Sequence, residues 1–411
     1  MTTLTINDRA YERPKRPIVV ICCDGSEPDY MELAMAAGLM PNLKKIIAKG
    51  ENLRGLSAMP SFTNPNNMSI ATGRTPDVHG ICGNYLIDPA TGLETMMNDP
   101  KWLTAPTIFA EFQKTGARIC VVTAKDKLRL LLGHGLKFDG TAICFSAEKA
   151  DKATIADNGI GAVLQFVAKP LPEVYSADLS EFVFAAGVNL LKRDRPDLMY
   201  LSTTDYVQHK FAPGSEGANS FYKMMDGYLG KLDALDCNLI IIADHGMNDK
   251  HLADGSPDVI YLQDVLDQEF GIGKTRVILP ITDPYVVHHG ALGSFAQVYL
   301  NGPNVADVIS FIGGLSGIDV IMAKLLAARK YGLPPERCGD IVVISGGEKS
   351  SKVIGTSAHK HDLSGLDAPL RSHGGLSEQR VPVISNRKLK HLPQPLRNFD
   401  AFFIGCNCVE N

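Results

Sequence analysis

Two apolar runs that break off at an acid constrain this chain more than any other feature. Ile18-Val19-Val20-Ile21-Cys22-Cys23 ends at Asp24-Gly25, and Leu239-Ile240-Ile241-Ile242-Ala243 ends at Asp244-His245-Gly246. Apolar, mostly β-branched runs without polar alternation read as strands buried on both faces, as in a parallel sheet covered by helices. In such sheets ligands bind in the crevice at the strand C-termini. An acid at the end of each run is therefore placed where chemistry is done.

The rest of the chain alternates in the way an α/β fold with a mostly parallel central sheet requires. Strands are expected at Ala117–Thr123, Pro196–Thr203 and Cys237–Ala243. Helices are expected at Met40–Lys49, with Pro41 in its first turn and Gly50 past its end, and at Thr107–Lys114, Glu181–Arg193 and Ser220–Leu235. From about Asp258 the pattern changes to a compact β-β-α-β-α-β unit, running from Val277–Ile281 to Asp340–Ser345. That unit lies between Asp244-His245 and Ser372-His373-Gly374-Gly375. If both belong to one site, residues 258–345 form a smaller α+β cap inserted into a catalytic core of 1–257 and 346–411. The tail has an apolar stretch, Ala401–Gly405, suited to packing on that core.

Composition narrows the function. Over 411 residues, 45% are hydrophobic and 21% charged, which is ordinary for a globular chain with a substantial core. A formal net charge of −4 gives no footprint for nucleic acid. The polar N-terminus lacks the apolar stretch of a secretory signal, and the longest apolar runs are too short to span a membrane. Nine cysteines, an odd number without a C-x-x-C pair, argue for reduced thiols in the cytoplasm. Cys406 and Cys408 read better as idle tail cysteines than as zinc thiolates.

The acids and histidines carry the chemistry. A carboxylate at the end of a wholly apolar strand, as at Asp24, is costly unless paired, and a metal ion is the strongest partner; a turn cap with Gly25 making the bend is the plain alternative. Asp205 and His209 in Asp205-Tyr206-Val207-Gln208-His209 share a face if the segment is helical, although an N-cap beside a surface histidine gives the same pattern. Asp244 and His245 can both aim inward where a strand breaks at a glycine, or they can form a simple turn. His373 sits in a glycine-rich loop that permits close approach to a ligand. Thr63, in Ser61-Phe62-Thr63-Asn64-Pro65, stands where Pro65 favours a helix start, a natural anion site and a place for a nucleophilic hydroxyl; helix capping is the alternative. Carboxylate and imidazole suit zinc, and manganese or iron fits the same donors.

Taken in order, these segments, with Ala71-Thr72-Gly73-Arg74-Thr75-Pro76-Asp77-Val78-His79-Gly80-Ile81 after the threonine, resemble the alkaline phosphatase superfamily. Within it they look most like the nucleotide pyrophosphatase/phosphodiesterase branch and its relatives, the phosphonoacetate hydrolases. The resemblance implies two zinc ions per chain. One would be held by Asp205, His209 and His373, the other by Asp24, Asp244, His245 and the Thr63 oxygen. It also implies that Thr63 forms a phospho-threonine intermediate. Asn84, in Gly83-Asn84-Tyr85, would donate to a phosphoryl oxygen, and His373 would also contact substrate.

The choice of substrate follows from what the chain lacks and what it adds. One tryptophan and no disulfide pattern suit a nucleotide-binding secreted enzyme poorly. Lys125 and Lys127, just after the Ala117–Thr123 strand, would suit a small substrate with a second anionic group, such as phosphonoacetate. Hydrolysis of its C–P bond, with the lysines stabilising the carboxylate of the leaving group, is the expected reaction. A phosphodiesterase or phosphomonoesterase on the same core is the first alternative; a metal-binding module without catalysis is the second. The partners expected are a small phosphonate and, as an assembly the sequence allows, a second copy of the chain, but neither nucleic acid nor membrane.

Overall fold

The Ile18–Cys22 run forms the middle strand of a seven-stranded sheet. The computed structural model describes residues 3–283, 290–347, 351–364 and 366–410; His288 and His289, whose place the sequence left open, lie outside them. In chain order the strands of the two main sheets are β1 (Ile18–Cys22), β2 (Glu51–Leu56), β3 (Ile119–Thr123), β4 (Ala142–Ser146), β5 (Leu198–Ser202), β6 (Asn238–Ile242), β7 (Thr275–Ile278), β8 (Phe295–Leu300), β9 (Ile318–Ala323), β10 (Ile341–Ser345) and β11 (Arg380–Ser385). The large sheet runs β2-β11-β6-β1-β5-β3-β4. β6, β1, β5, β3 and β4 are mutually parallel, and β11 is antiparallel to both of its neighbours.

Why these runs lack polar alternation is visible in their packing. Ile18, Val20 and Cys22 enter one apolar cluster while Val19, Ile21 and Cys23 enter another on the opposite face. All five residues of β1, β3, β4, β5 and β6 are buried. Each fully buried Val, Leu or Ile contributes about 1.5–3 kcal/mol, and Thr123, Ser146, Ser202 and Asn238 stand at strand termini rather than in the interiors. Helices Asp178–Asp194 and Glu216–Asp233 supply one cover, through residues such as Phe182, Leu190, Tyr222 and Leu229. The tail does return to the core, where Ala401, Phe402 and Ile404 are buried.

Register decides what happens at the strand ends. Cys22 pairs with both Ile242 and Ser202, and Ser202 pairs with Thr123. The ladder continues one step further, with the Cys23 N–H on the Ile242 carbonyl, Thr203 on Cys22 and Ala124 on Ser202. Three neighbouring strands thus finish level, and the residues just beyond them, Asp24, Asp205 and Asp244, emerge side by side.

The segment after Asp258 forms its own four-stranded antiparallel sheet, β7-β8-β10-β9, with helices Val305–Gly313 and Lys324–Tyr331. Its β-β-α-β-α-β order follows the sequence pattern. Its first strand starts and stops earlier than the apolar run suggests. The chain leaves the sheet at Leu279-Pro280 because the Pro280 carbonyl accepts the Asn84 N–H at 2.7 Å, which draws residues 280–283 toward the strand ends of the large sheet. A short parallel pair joins Val259–Tyr261, at the start of this segment, to Val353–Gly355, beyond its last strand.

Candidate active site

Asp24, Asp244 and His245 are buried side by side at the ends of β1 and β6. The turn after β1 needs glycine: Gly25 has φ +66°, and a Cβ there would come within 2.9 Å of the Asp205 Cβ. Its N–H donates to Asp244 Oδ1 at 3.3 Å, and the Asp24 N–H donates to Thr203 Oγ1 at 2.9 Å. The carboxylate turns are thereby pinned to one another. Asp205 is the N-cap of helix Tyr206–Lys210, and the helical spacing does bring His209 back, with Nε2 3.0 Å from Asp205 Oδ2.

His373 arrives from a different part of the chain. It follows Arg371-Ser372, which pairs antiparallel with Asn248-Asp249 just beyond His245. Gly374, at φ +113°, lets the loop pass over Phe62, whose ring a Cβ would strike at 2.3 Å. The imidazoles of His245 and His373 stack with centroids 3.7 Å apart, and His373 Nε2 lies 3.8 Å from Asp205 Oδ2.

The three histidines share one arrangement. His209 Nδ1 donates to the Arg371 carbonyl at 2.8 Å, His245 Nδ1 to Gly246 at 2.9 Å and His373 Nδ1 to Ser61 at 2.8 Å. Each ring therefore turns Nε2 toward the carboxylates, the tautomer and orientation that a metal ligand needs. His245 Nε2 is 3.3 Å from Asp24 Oδ1 and 3.7 Å from Asp244 Oδ2. The donor atoms fall into two groups that share this ring: Asp24, Asp244 and His245, and Asp205, His245 and His373.

Protein groups alone leave this cluster electrostatically unbalanced. Burial, then the charges of Asp205 and Asp244, push Asp24 well above the usual carboxylate range, and burial also raises Asp244. Against its burial, Asp205 is pulled far down, first by His209. His245 is raised to about 10 by Asp244 and Asp24 despite burial, while burial and the His245 charge drive His373 well below its ordinary value. Among the described residues, buried Asp24 Oδ1 has no hydrogen-bond partner beyond its ion-pair contact with His245 Nε2. Three converging carboxylates, an under-satisfied buried oxygen and three imidazoles presenting Nε2 fit divalent cations well.

Thr63 opens helix Thr63–Thr72 as its first residue, after an extended Phe62. Its Oγ1 is 3.2 Å from His245 Nε2, and it lines a cavity of about 410 Å³ together with Asp24, Asp205, His209 and His373. Asn84 reaches the same cavity; among the described residues its buried Oδ1 has no partner and its Nδ2 makes a long 3.4 Å contact to the Ile281 carbonyl. Lys125 and Lys127 are in the cavity wall too, but each is already engaged. Lys125 Nζ donates to the Val174 carbonyl at 3.0 Å and lies over the Tyr175 ring, and burial lowers its pKa. Lys127 is paired with Asp283 at 2.9 Å. Away from this cluster, His359 and Lys360 are exposed and His361 is half-buried, with Nδ1 on the Gly290 carbonyl. The cysteines are unpaired, Cys406 and Cys408 included.

Sequence reasoning missed the residues behind the ligands. Asn67, four residues after Thr63, donates to Asp244 Oδ2 at 3.1 Å and to the Thr63 carbonyl, and accepts from Tyr200 and Ser202. Glu378 takes the Gly375 N–H at 2.9 Å, pairs with buried Lys250 at 3.1 Å and gives its carbonyl to the Gly246 N–H. A polar Asn66-Asn67 inside a buried helix was the available signal for the first. For Glu378 the sequence carries none.

The chain as a whole is similar to proteins of known family and structure. The model of the type I phosphodiesterase/nucleotide pyrophosphatase family matches residues 18–348. A Schizosaccharomyces pombe pyrophosphatase/phosphodiesterase is 26% identical over 254 residues, 56% of this chain and 44% of that protein. Human ectonucleotide pyrophosphatase/phosphodiesterase family member 1 is 27% identical over 260 residues, 58% of this chain and 24% of that protein. The matched region thus spans less than half the length of these curated relatives. Among solved structures, phosphonoacetate hydrolase from Sinorhizobium meliloti in complex with phosphonoacetate superposes with a TM-score of 0.95 at 58% identity, covering 98% of each chain. Murine ectonucleotide pyrophosphatase/phosphodiesterase 5, at 17% identity and a TM-score of 0.63 over 95% of this chain and 94% of that one, shares the fold. On the extent of the family match and the likeness over nearly the whole length, the chain belongs to the type I phosphodiesterase/nucleotide pyrophosphatase family of the alkaline phosphatase-like superfamily.

Proposed function

We propose that this chain hydrolyses the C–P bond of phosphonoacetate, giving acetate and phosphate through a phospho-threonine intermediate. The observation that carries the reading is one cavity lined by Thr63, Asp24, Asp205, His209 and His373 together with Lys125 and Lys127. The 58% identity over 98% of a phosphonoacetate hydrolase supports the same substrate. Asp205, His209 and His373 would hold one zinc ion, and Asp24, Asp244 and His245, with Thr63 beside them, the other. Bound there, the two ions supply Lewis-acid charge to the phosphoryl oxygens.

The chain's own groups do the rest. Thr63 loses its proton to water and its oxygen attacks phosphorus in line. The P–C bond breaks, and its electron pair passes to the methylene carbon and into the adjoining carboxylate. Lys125 and Lys127 face that developing charge, provided the substrate carboxylate takes over from their present partners. Preorganised cations at the point where charge appears are the most effective use of electrostatics. Asn84 donates to a phosphoryl oxygen. The carbanion takes a proton from water to give acetate, and a second water displaces phosphate from Thr63.

We assign residues 258–345 as a cap on a core of 1–257 and 346–411. Support comes from its separate four-stranded sheet and from Ile281 and Asp283, which line the cavity beside core residues. Unpaired thiols fit a reducing compartment, and we read the protein as cytoplasmic.

The test is phosphate release with added zinc from phosphonoacetate, phosphonopyruvate, aminoethylphosphonate and nitrophenyl phosphate. Phosphonoacetate should be turned over fastest, and exhaustive chelation should abolish activity until zinc is restored. Faster turnover of the nitrophenyl ester would assign the chain to ester hydrolysis instead. Full activity after chelation would defeat the two-zinc reading.

A further inference from the structure

We infer that Arg371 is the positioning residue that holds the three site histidines in register with one another. Its side chain is 5% exposed. Nε donates to the Gln208 carbonyl at 2.9 Å, immediately before His209, and Nη2 donates to the Met247 carbonyl at 2.9 Å, just after His245. The Arg371 carbonyl itself accepts His209 Nδ1–H at 2.8 Å, and the chain continues through Ser372 to His373. Tyr30 Oη lies 3.1 Å from Nη2 and fixes the fork from behind. One guanidinium thus touches two of the histidine-bearing segments and stands on the third.

An ion pair alone does not account for this burial. The carboxylate partner, Asp249, has a side chain 57% exposed, and a pair so open to water contributes little. Burying a guanidinium costs far more in desolvation. The compensation lies in the donors given to main-chain carbonyls, which the planar fork fixes in direction as an ammonium group cannot. The Gln208 and Met247 carbonyls come from segments after β5 and β6, whose spacing the sheet sets only as far as the strand ends. Beyond them Arg371 takes over.

The inference rests on the metal-binding reading above, and zinc retention tests it. Arg371→Met, Arg371→Lys and Asp249→Asn are compared with the wild type for zinc affinity and for the rate of zinc loss to a chelator, below the melting temperature of each metal-free protein. Groups that orient metal ligands typically cost about 10–100-fold in metal affinity when removed. Arg371→Met should show a loss of that size, Arg371→Lys an intermediate loss, and Asp249→Asn near-wild-type affinity. Wild-type affinity in Arg371→Met, or in Arg371→Lys should the methionine variant not fold, overturns the inference. A loss in Asp249→Asn equal to that in Arg371→Met also overturns it, by making the ion pair the working element. A wild-type protein that binds no divalent ion overturns the two-zinc reading and this inference together.

Discussion

At the scale of single residues, the mechanism we propose separates groups that act on phosphorus from groups that act on the leaving carbon. Thr63 belongs to the first. Thr63→Ala should keep its metal and fold while losing at least ~10³-fold in turnover, by comparison with other deleted nucleophiles; phosphate-release kinetics beside zinc content check this, and near-normal turnover would remove Thr63 from the reaction. Lys125 and Lys127 belong to the second. A nitrophenyl leaving group has no carboxylate to hold, so Lys125→Ala and Lys127→Ala should slow phosphonoacetate cleavage more than tenfold each while sparing the nitrophenyl ester. That size follows from about 1.5–3 kcal/mol for a charge-assisted hydrogen bond. Equal loss on both substrates would mean general anion attraction. Because Lys127 is paired with Asp283, its contribution includes breaking that pair, so its effect should be the smaller of the two.

At the scale of elements, what the sequence displayed and what it hid have physical reasons. β1, β5 and β6 were legible because burial on both faces makes their interiors almost wholly apolar, and the ends of β1 and β6 were legible because the run stops at an acid. Helix Pro41–Lys49 announced itself with Pro41 and Gly50. The N-terminal hairpin Thr3–Ile6 with Arg9–Glu12 did not, because its short polar strands bury little beyond Ile6 and Tyr11. The supports behind the site were equally hidden. Glu378 lies in a single turn, Ser377–Gln379, and what matters about it is a contact with Lys250 far away in the sequence. Both partners are almost wholly buried, so Glu378→Gln should cost about 3–5 kcal/mol by leaving the lysine unpaired. Against its burial, Lys250 and its hydrogen-bond donors hold the Glu378 carboxyl below its usual range. Its stabilisation is therefore present above about pH 4.3, the unfolded value, and is lost as pH falls through the lower folded value. Urea unfolding at pH 7 and pH 3 should show the gap between wild type and variant narrowing in acid; a constant gap would mean that Glu378 is not ionised in the folded protein.

At the scale of the whole molecule, the order in which the chain is read differs sharply from the order in which it is assembled. β11 is close to the end of the chain, yet it is an interior strand, antiparallel between β2 and β6. Asp24 lies near the beginning and His373 shortly before β11. Contacts between such distant residues are slow to form, because loop closure must be completed before they bring any gain. A growing chain can make β1, β5 and β6 and set out its carboxylates, but it has neither the third imidazole nor the strand that completes the sheet until its last residues appear. Until then the acids stand together without a full set of neutral ligands, a poor trap for any one cation and a weak one for many. On the metal-site reading proposed above, metal selection becomes a late event in the life of each molecule, made once by a finished fold rather than by whichever ion meets the nascent chain first.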